Sequence, residues 1–153
     1  MKKIGFLINP IAGMGGRVGL KGTDGVADQA RRLGAEPISP LRAAEMLDGL
    51  RTALDKLDNP PEFRWLTCSA PMGEQMLQDA GFDNSDVVFT PAESSSQEDT
   101  KAAARAFVGS GTDLILFCGG DGTARDICQE TGTSTPILGI PSGVKMYSGV
   151  FGV

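Results

Sequence analysis

Residues Gly119-Gly120-Asp121-Gly122-Thr123 combine what phosphate chemistry asks of a turn. Glycines let the chain reverse sharply and bring its N–H groups close to an oxyanion. A helix that starts there adds unsatisfied donors and a partial positive charge. Asp121 is the unusual member, because an acid repels phosphate unless it has a task. Two tasks suit it: holding a divalent cation between phosphates, or accepting a proton from an attacking hydroxyl. A plainer reading is a turn in which the carboxylate bonds to its own backbone. Thr123 stands where a helix cap would, with Asp126 at the reciprocal capping-box position.

Two further segments have the same design. Asn9-Pro10-Ile11-Ala12-Gly13-Met14-Gly15-Gly16-Arg17 follows an apolar run, and so does Pro141-Ser142-Gly143-Val144-Lys145. The first is neither a Walker A loop, since no GK[ST] closes it, nor a clean GxGxxG. Lys21 and Lys145 are cations that could meet a phosphate, or simply solvated lysines. The Ser-rich acidic stretch Glu93 to Asp99 reads most simply as a loop and helix cap, and Trp65 as core.

The elements that must position these residues alternate in type. Ile4 to Asn9, Phe63 to Cys68, Val87 to Thr90, Leu114 to Cys118 and Ile137 to Ile140 read as strands. LILFC at 114–118 is an uninterrupted apolar run of the kind buried on both faces of a parallel sheet. Helical patterns fall between them: Val26 to Leu33, a segment opened by Pro40 with Leu47, Leu50, Leu54 and Leu57 as its stripe, Met72 to Ala80, and Thr123 to Glu130. Ser96 to Val108 is a further helix, with a capping box in Ser96-Gln97-Glu98-Asp99 and a buried stripe of Ala103, Ala106 and Phe107. Met146 onward reads as the start of another helix. Strand–helix alternation without hairpin signals predicts an α/β fold: three layers, a mostly parallel sheet with helices on both faces. Ligands bind at the carboxyl ends of such strands. All three glycine clusters follow a strand directly, so they are expected on one rim.

Composition narrows the chemistry. The chain has 153 residues, a net charge of −5, and glycine at 21 positions, about twice the average of ~7%. The acidic balance argues against nucleic acid or an anionic membrane as partner. There is no histidine, which removes histidine-based triads and most zinc chemistry. Cys68, Cys118 and Cys128 have no CxxC spacing and read as plain reduced thiols, mostly buried. No apolar run approaches the ~20 residues of a membrane span, and the amino end lacks a secretory-signal pattern. A cytoplasmic location is expected.

Three blocks, Asn9 to Gly25, Gly119 to Ile127 and Pro141 to Tyr147, together resemble the superfamily of NAD kinases, diacylglycerol kinases and sphingosine kinases. More narrowly they look like the amino-terminal domain of the ATP–NAD kinase-like branch, and the resemblance runs from Ile4 to the end of the chain. It implies a kinase using ATP, NAD and Mg²⁺. Asp121 would sit by the adenosine ribose 2′-hydroxyl of NAD as base. Gly119, Gly120, Gly122 and Thr123 would line the phosphate site, and Asn9 and Gly13 would form the first phosphate-side loop. Gly143, with Lys145 beside it, would open the block before a second domain. Residues 1–145 would then be the nucleotide-binding domain, and 146–153 the start of a connection to a β-rich carboxyl-terminal domain. That second domain would supply acceptor contacts and a homo-oligomer interface, and the first half is not expected to turn over alone. Pro141-Ser142-Gly143 and Tyr147-Ser148-Gly149 stand where NAD kinases usually carry Asn-x-Gly and Gly-Phe-Leu. The acceptor therefore stays open between NAD and another hydroxyl, lipid or polyol, and a catalytically silent nucleotide-sensing module is the alternative.

Overall fold

The computed structural model describes residues 1–19, 27–92, 96–143 and 146–152. Lys21 and Lys145 lie outside the described residues, as does the Glu93 end of the acidic stretch. Five apolar runs form the strands β1 (Lys2–Ile8), β2 (Phe63–Cys68), β3 (Ser85–Phe89), β4 (Leu114–Gly119) and β5 (Ile137–Pro141). Between them lie α1 (Met14–Arg17), α2 (Ala27–Arg32), α3 (Ser39–Leu54), α4 (Glu74–Asp79), α5 (Gln97–Gly109) and α6 (Asp121–Thr131).

All pairings are parallel, and the sheet order is β3-β2-β1-β4-β5. The chain lays β2 and β3 to one side of β1, then returns to place β4 on its other side, with β5 beyond. The direction of winding thus reverses between β1 and β4. Their carboxyl ends part there, and in open α/β sheets such a crevice is where ligands bind.

Side-chain alternation divides the core into two layers. Ile4, Phe6 and Ile8 of β1, with Trp65, Leu116 and Cys118, pack against Ala43 and Leu47 of α3 and Leu77 of α4. Leu7, Leu66, Ile115 and Phe117 face the other way, toward Ala103, Ala104 and Phe107 of α5 and Ala124 and Ile127 of α6. This is the expected three-layer α/β architecture. Trp65 is core, as read, with Phe6 edge-on at 6.1 Å between ring centroids.

Four local expectations are corrected. α6 begins at Asp121 with Gly120 as its N-cap and no side-chain cap, so Thr123 is not the cap and Asp126 closes no capping box. The reason is tertiary: Thr123 Oγ1 accepts from Asn9 Nδ2 at 3.1 Å, and Asp126 Oδ1 accepts from Gln97 Nε2 at 2.7 Å. Residues 146–152 form no helix; they run as a strap that makes a parallel bridge from Phe151 to Gly139. The α3 stripe ends at Leu54, and Leu57 lies beyond the helix, exposed. The Ser96 capping box is present with Asp99 as its partner, while Ala104 rather than Ala106 completes the buried face of α5.

Candidate functional site at the sheet switch point

The three glycine segments meet where β1 and β4 diverge. Asn9 continues β1, its amide donating to the Cys118 carbonyl at 2.9 Å. Its side chain reaches across to Thr123 on α6, while its Oδ1 accepts from the Ile11 amide at 3.2 Å. Asn9 therefore stitches the first loop to the first turn of α6. The third segment is stitched in turn by the Ser142 amide, which donates to the Gly119 carbonyl at 3.1 Å.

A buried hydroxyl pair ties the start of α3 to the first and third of these segments. Ser39, at the start of α3, has its Oγ 2.8 Å from Ser142 Oγ and 3.4 Å from the Ala12 carbonyl oxygen, and both serines are almost wholly buried. The Cys118 thiol donates to the Ser39 carbonyl at 3.2 Å. Burial pushes the Cys118 and Cys68 thiols up to about 12, so neither supplies a thiolate nucleophile at neutral pH. Cys128 is exposed.

The glycines separate into two kinds. At Gly13 the backbone has φ of +83°, and an added Cβ would lie 1.9 Å from the Ser142 carbonyl oxygen. At Gly119 a Cβ would lie 2.6 Å from the Thr123 side chain. Both are sites of close packing between segments. Gly120 differs: its backbone is extended, at φ −106° and ψ −172°, and a Cβ would meet nothing within 4 Å. Gly122 lies in the first turn of α6 and Gly143 in the bend after β5, both half-buried. The α6 turn thus presents its end to the crevice through Gly120 with no side chain capping it.

Asp121 sits at this turn, where the helix dipole favours a negative charge. Its carboxylate does not bond to its own turn. Oδ2 accepts from the Tyr147 amide at 2.9 Å, and Oδ1 accepts from the Ser148 amide at 3.0 Å and the Ser148 hydroxyl at 2.7 Å. Those bonds, the Ser148 hydroxyl foremost and the two amides after it, hold Asp121 below the usual carboxylate range. The strap that supplies them is fixed at its far end. The Gly139 amide donates to the Val150 carbonyl at 2.7 Å, the Gly152 amide donates to the Gly139 carbonyl at 3.0 Å, and Phe151 packs edge-on against Phe117 at 5.6 Å.

Sequence reasoning placed Asn9, Gly13, Gly119 to Thr123 and Gly143 at one rim, and the structure brings them together there. It missed Ser39, Ser142 and Ser148. The sequence-level sign of Ser142 was its place in the third glycine block; Ser39 and Ser148 had none, because their partners lie far along the chain. A separate groove of about 570 Å³, lined among others by Arg51, Phe63, Trp65 and Phe82, lies at the opposite, amino ends of the strands. None of the described residues of the glycine segments lines it.

Against this geometry, the family model described as the ATP-NAD kinase N-terminal domain matches residues 5–153, essentially the whole chain. No curated protein and no solved structure matches the chain significantly. No described helix is long and apolar enough to cross a membrane.

Proposed function

The chain belongs to the ATP-NAD kinase N-terminal domain family, whose role is kinase-like and nucleotide-binding, and on that premise we propose that it is the nucleotide-binding half of an NAD kinase. The reaction is transfer of the terminal phosphoryl group of ATP to the 2′-hydroxyl of NAD, giving NADP. The observation that carries this reading is the uncapped start of α6, presented through Gly120 at the β1/β4 switch point with Asp121 in its first turn. Gly120 lets phosphate oxygens approach the amides of that turn. Gly119, Gly122 and Thr123 shape the turn, Asn9 and Gly13 hold the first loop beside it, and Gly143 closes the third side.

In the transfer, the acceptor hydroxyl oxygen forms a bond to the γ-phosphorus as the bond to the bridging oxygen of ADP breaks. ADP leaves with that electron pair, and the hydroxyl proton passes to Asp121 and on to solvent. Such transition states are loose, so positioning and electrostatics count for more than base strength. A carboxylate held below its usual range is a weak base but is ionised before the transfer, so it orients the hydroxyl and holds the proton only in passing. Among the described residues no cluster of three or more histidine, cysteine or acidic side chains could hold a metal ion. Mg²⁺ would be carried in on the nucleotide phosphates, with Asp121 as the acid of this turn that would stand nearest to it. When bound it neutralises charge on the transferring group. We take residues 1–145 as the nucleotide-binding domain and 146–153 as the opening of a connection to a β-rich domain carrying acceptor contacts and a homo-oligomer interface.

One observation favours a second reading, a nucleotide-sensing module without turnover: the Asp121 carboxylate already has three donors from its own chain. Asp121→Asn, assayed for NADP formation in the intact protein, separates the two. The kinase reading expects a loss of about 10²–10⁴-fold with ATP binding retained. Activity within a few-fold of the parent would remove Asp121 from the chemistry, and nucleotide binding with no product from the parent protein would leave the sensor.

A further inference from the structure

The Asp121 carboxylate is the point where the strap and the crevice meet, and its hydrogen bonds can be counted. An ionised carboxylate offers about four lone-pair sites. Oδ1 receives two donors, the Ser148 amide and hydroxyl, and Oδ2 receives one, the Tyr147 amide. Among the described residues, no donor takes the second site of Oδ2. The donors are not loose groups, because Phe151 and the Gly139 bridge pin the strap three residues further on. At Gly139 an added Cβ would lie 2.5 Å from the Phe151 ring, so that seat is shaped for this approach.

We propose that Ser148 is a positioning residue for the reaction: it fills Oδ1 and turns the remaining lone pair of Oδ2 toward the acceptor hydroxyl. This rests on the reading of Asp121 as the group that meets that hydroxyl. Ser148 itself touches no reacting atom; it acts through Asp121, setting both the direction of the acceptor lone pair and the ionisation of the carboxylate. Among the described residues, the groups bonded to the carboxylate are the strap's two amides and one hydroxyl, and these bonds lower its titration. The rule for this site is one of aim: a carboxylate free to rotate would offer either oxygen, whereas this one offers a single lone pair.

The test uses the intact protein and two substitutions, Ser148→Ala and Ser148→Thr, with carbon-detected NMR titration of the Asp121 carboxyl as its first readout. Ser148 lies half-buried on the surface strap, so both variants are expected to fold, and Thr keeps the hydroxyl. Asp121 should titrate well up toward an ordinary aspartate in Ser148→Ala and close to the parent in Ser148→Thr. Unchanged titration in Ser148→Ala overturns the proposal. The second readout is calorimetric binding of NAD and of its analogue lacking the adenosine ribose 2′-hydroxyl. Ser148→Ala should weaken NAD about tenfold, the scale of one hydrogen bond to a charged group, and leave the analogue unchanged. Equal weakening of both ligands would make Ser148 merely structural and also overturn it. If the parent chain binds NAD and the analogue equally, the reading of Asp121 fails, while the titration still reports separately on the clasp.

Discussion

A glycine can be needed for space inside the protein or for space left to a ligand, and the rim contains glycines in packed and in open surroundings. Gly13 has positive φ and would drive a Cβ into the Ser142 carbonyl, and Gly119 would drive one into Thr123. Replacing either by Ala should lower stability by about 1–3 kcal/mol, read as a lower urea midpoint. Gly120→Ala should leave that midpoint within about 0.5 kcal/mol, because its backbone is extended and its surroundings are open. On the proposed phosphate role of this turn, the same variant should nonetheless weaken ATP binding, its methyl group standing where phosphate oxygens would approach. The phosphate assignment of this turn fails if Gly120→Ala binds ATP like the parent.

Whole elements show what local pattern reveals and what it hides. The capping box of α5 is read from four consecutive residues, and it forms: Asp99 Oδ2 accepts from the Ser96 amide at 2.8 Å, and the Asp99 amide donates back to Ser96 Oγ at 3.3 Å. Ser96→Ala should destabilise by about 1 kcal/mol, a fall of about 2–4 °C in Tm by calorimetry, and no change in Tm would deny the cap any weight. The strands were equally legible, because runs such as 114–118 must be buried on both faces. α6 was misjudged by two residues for a physical reason: Thr123 has the right chemistry for a cap, but Asn9, 114 positions away, takes its hydroxyl. The strap was misjudged likewise. Apolar residues at 146–151 suggest a helix to a local eye, yet their partners are Asp121, Gly139 and Phe117. The rim itself could be inferred, since strand ends and glycines are local features. The aim of Asp121 could not, since it depends on a contact 27 residues distant.

At the scale of the whole molecule, one sheet serves two apolar layers, and that sharing decides how the protein unfolds. Neighbouring residues of β1 and of β4 point to opposite layers: Leu7 and Phe117 toward α5 and α6, Phe6 and Leu116 toward α3 and α4. Neither layer can lose its helices without exposing a sheet face whose backbone the other layer needs. The one tryptophan, Trp65, reports on the α3/α4 layer only. Phe107, fully buried on α5, belongs to the opposite layer. Phe107→Ala should cost about 3–5 kcal/mol through lost burial and the cavity left behind. Because the layers share strands, that loss should move the Trp65 fluorescence transition in urea as far as the far-ultraviolet circular dichroism transition, the behaviour of a single cooperative unit. A fluorescence midpoint that stays in place while circular dichroism splits into two steps would mean that the layers unfold independently. Cooperative unfolding would instead tie the switch-point crevice, formed where β1 and β4 part, to the integrity of both layers at once. The stability of the site would then be that of the domain, and substitutions far from Asp121 would act on nucleotide binding through the folded fraction alone.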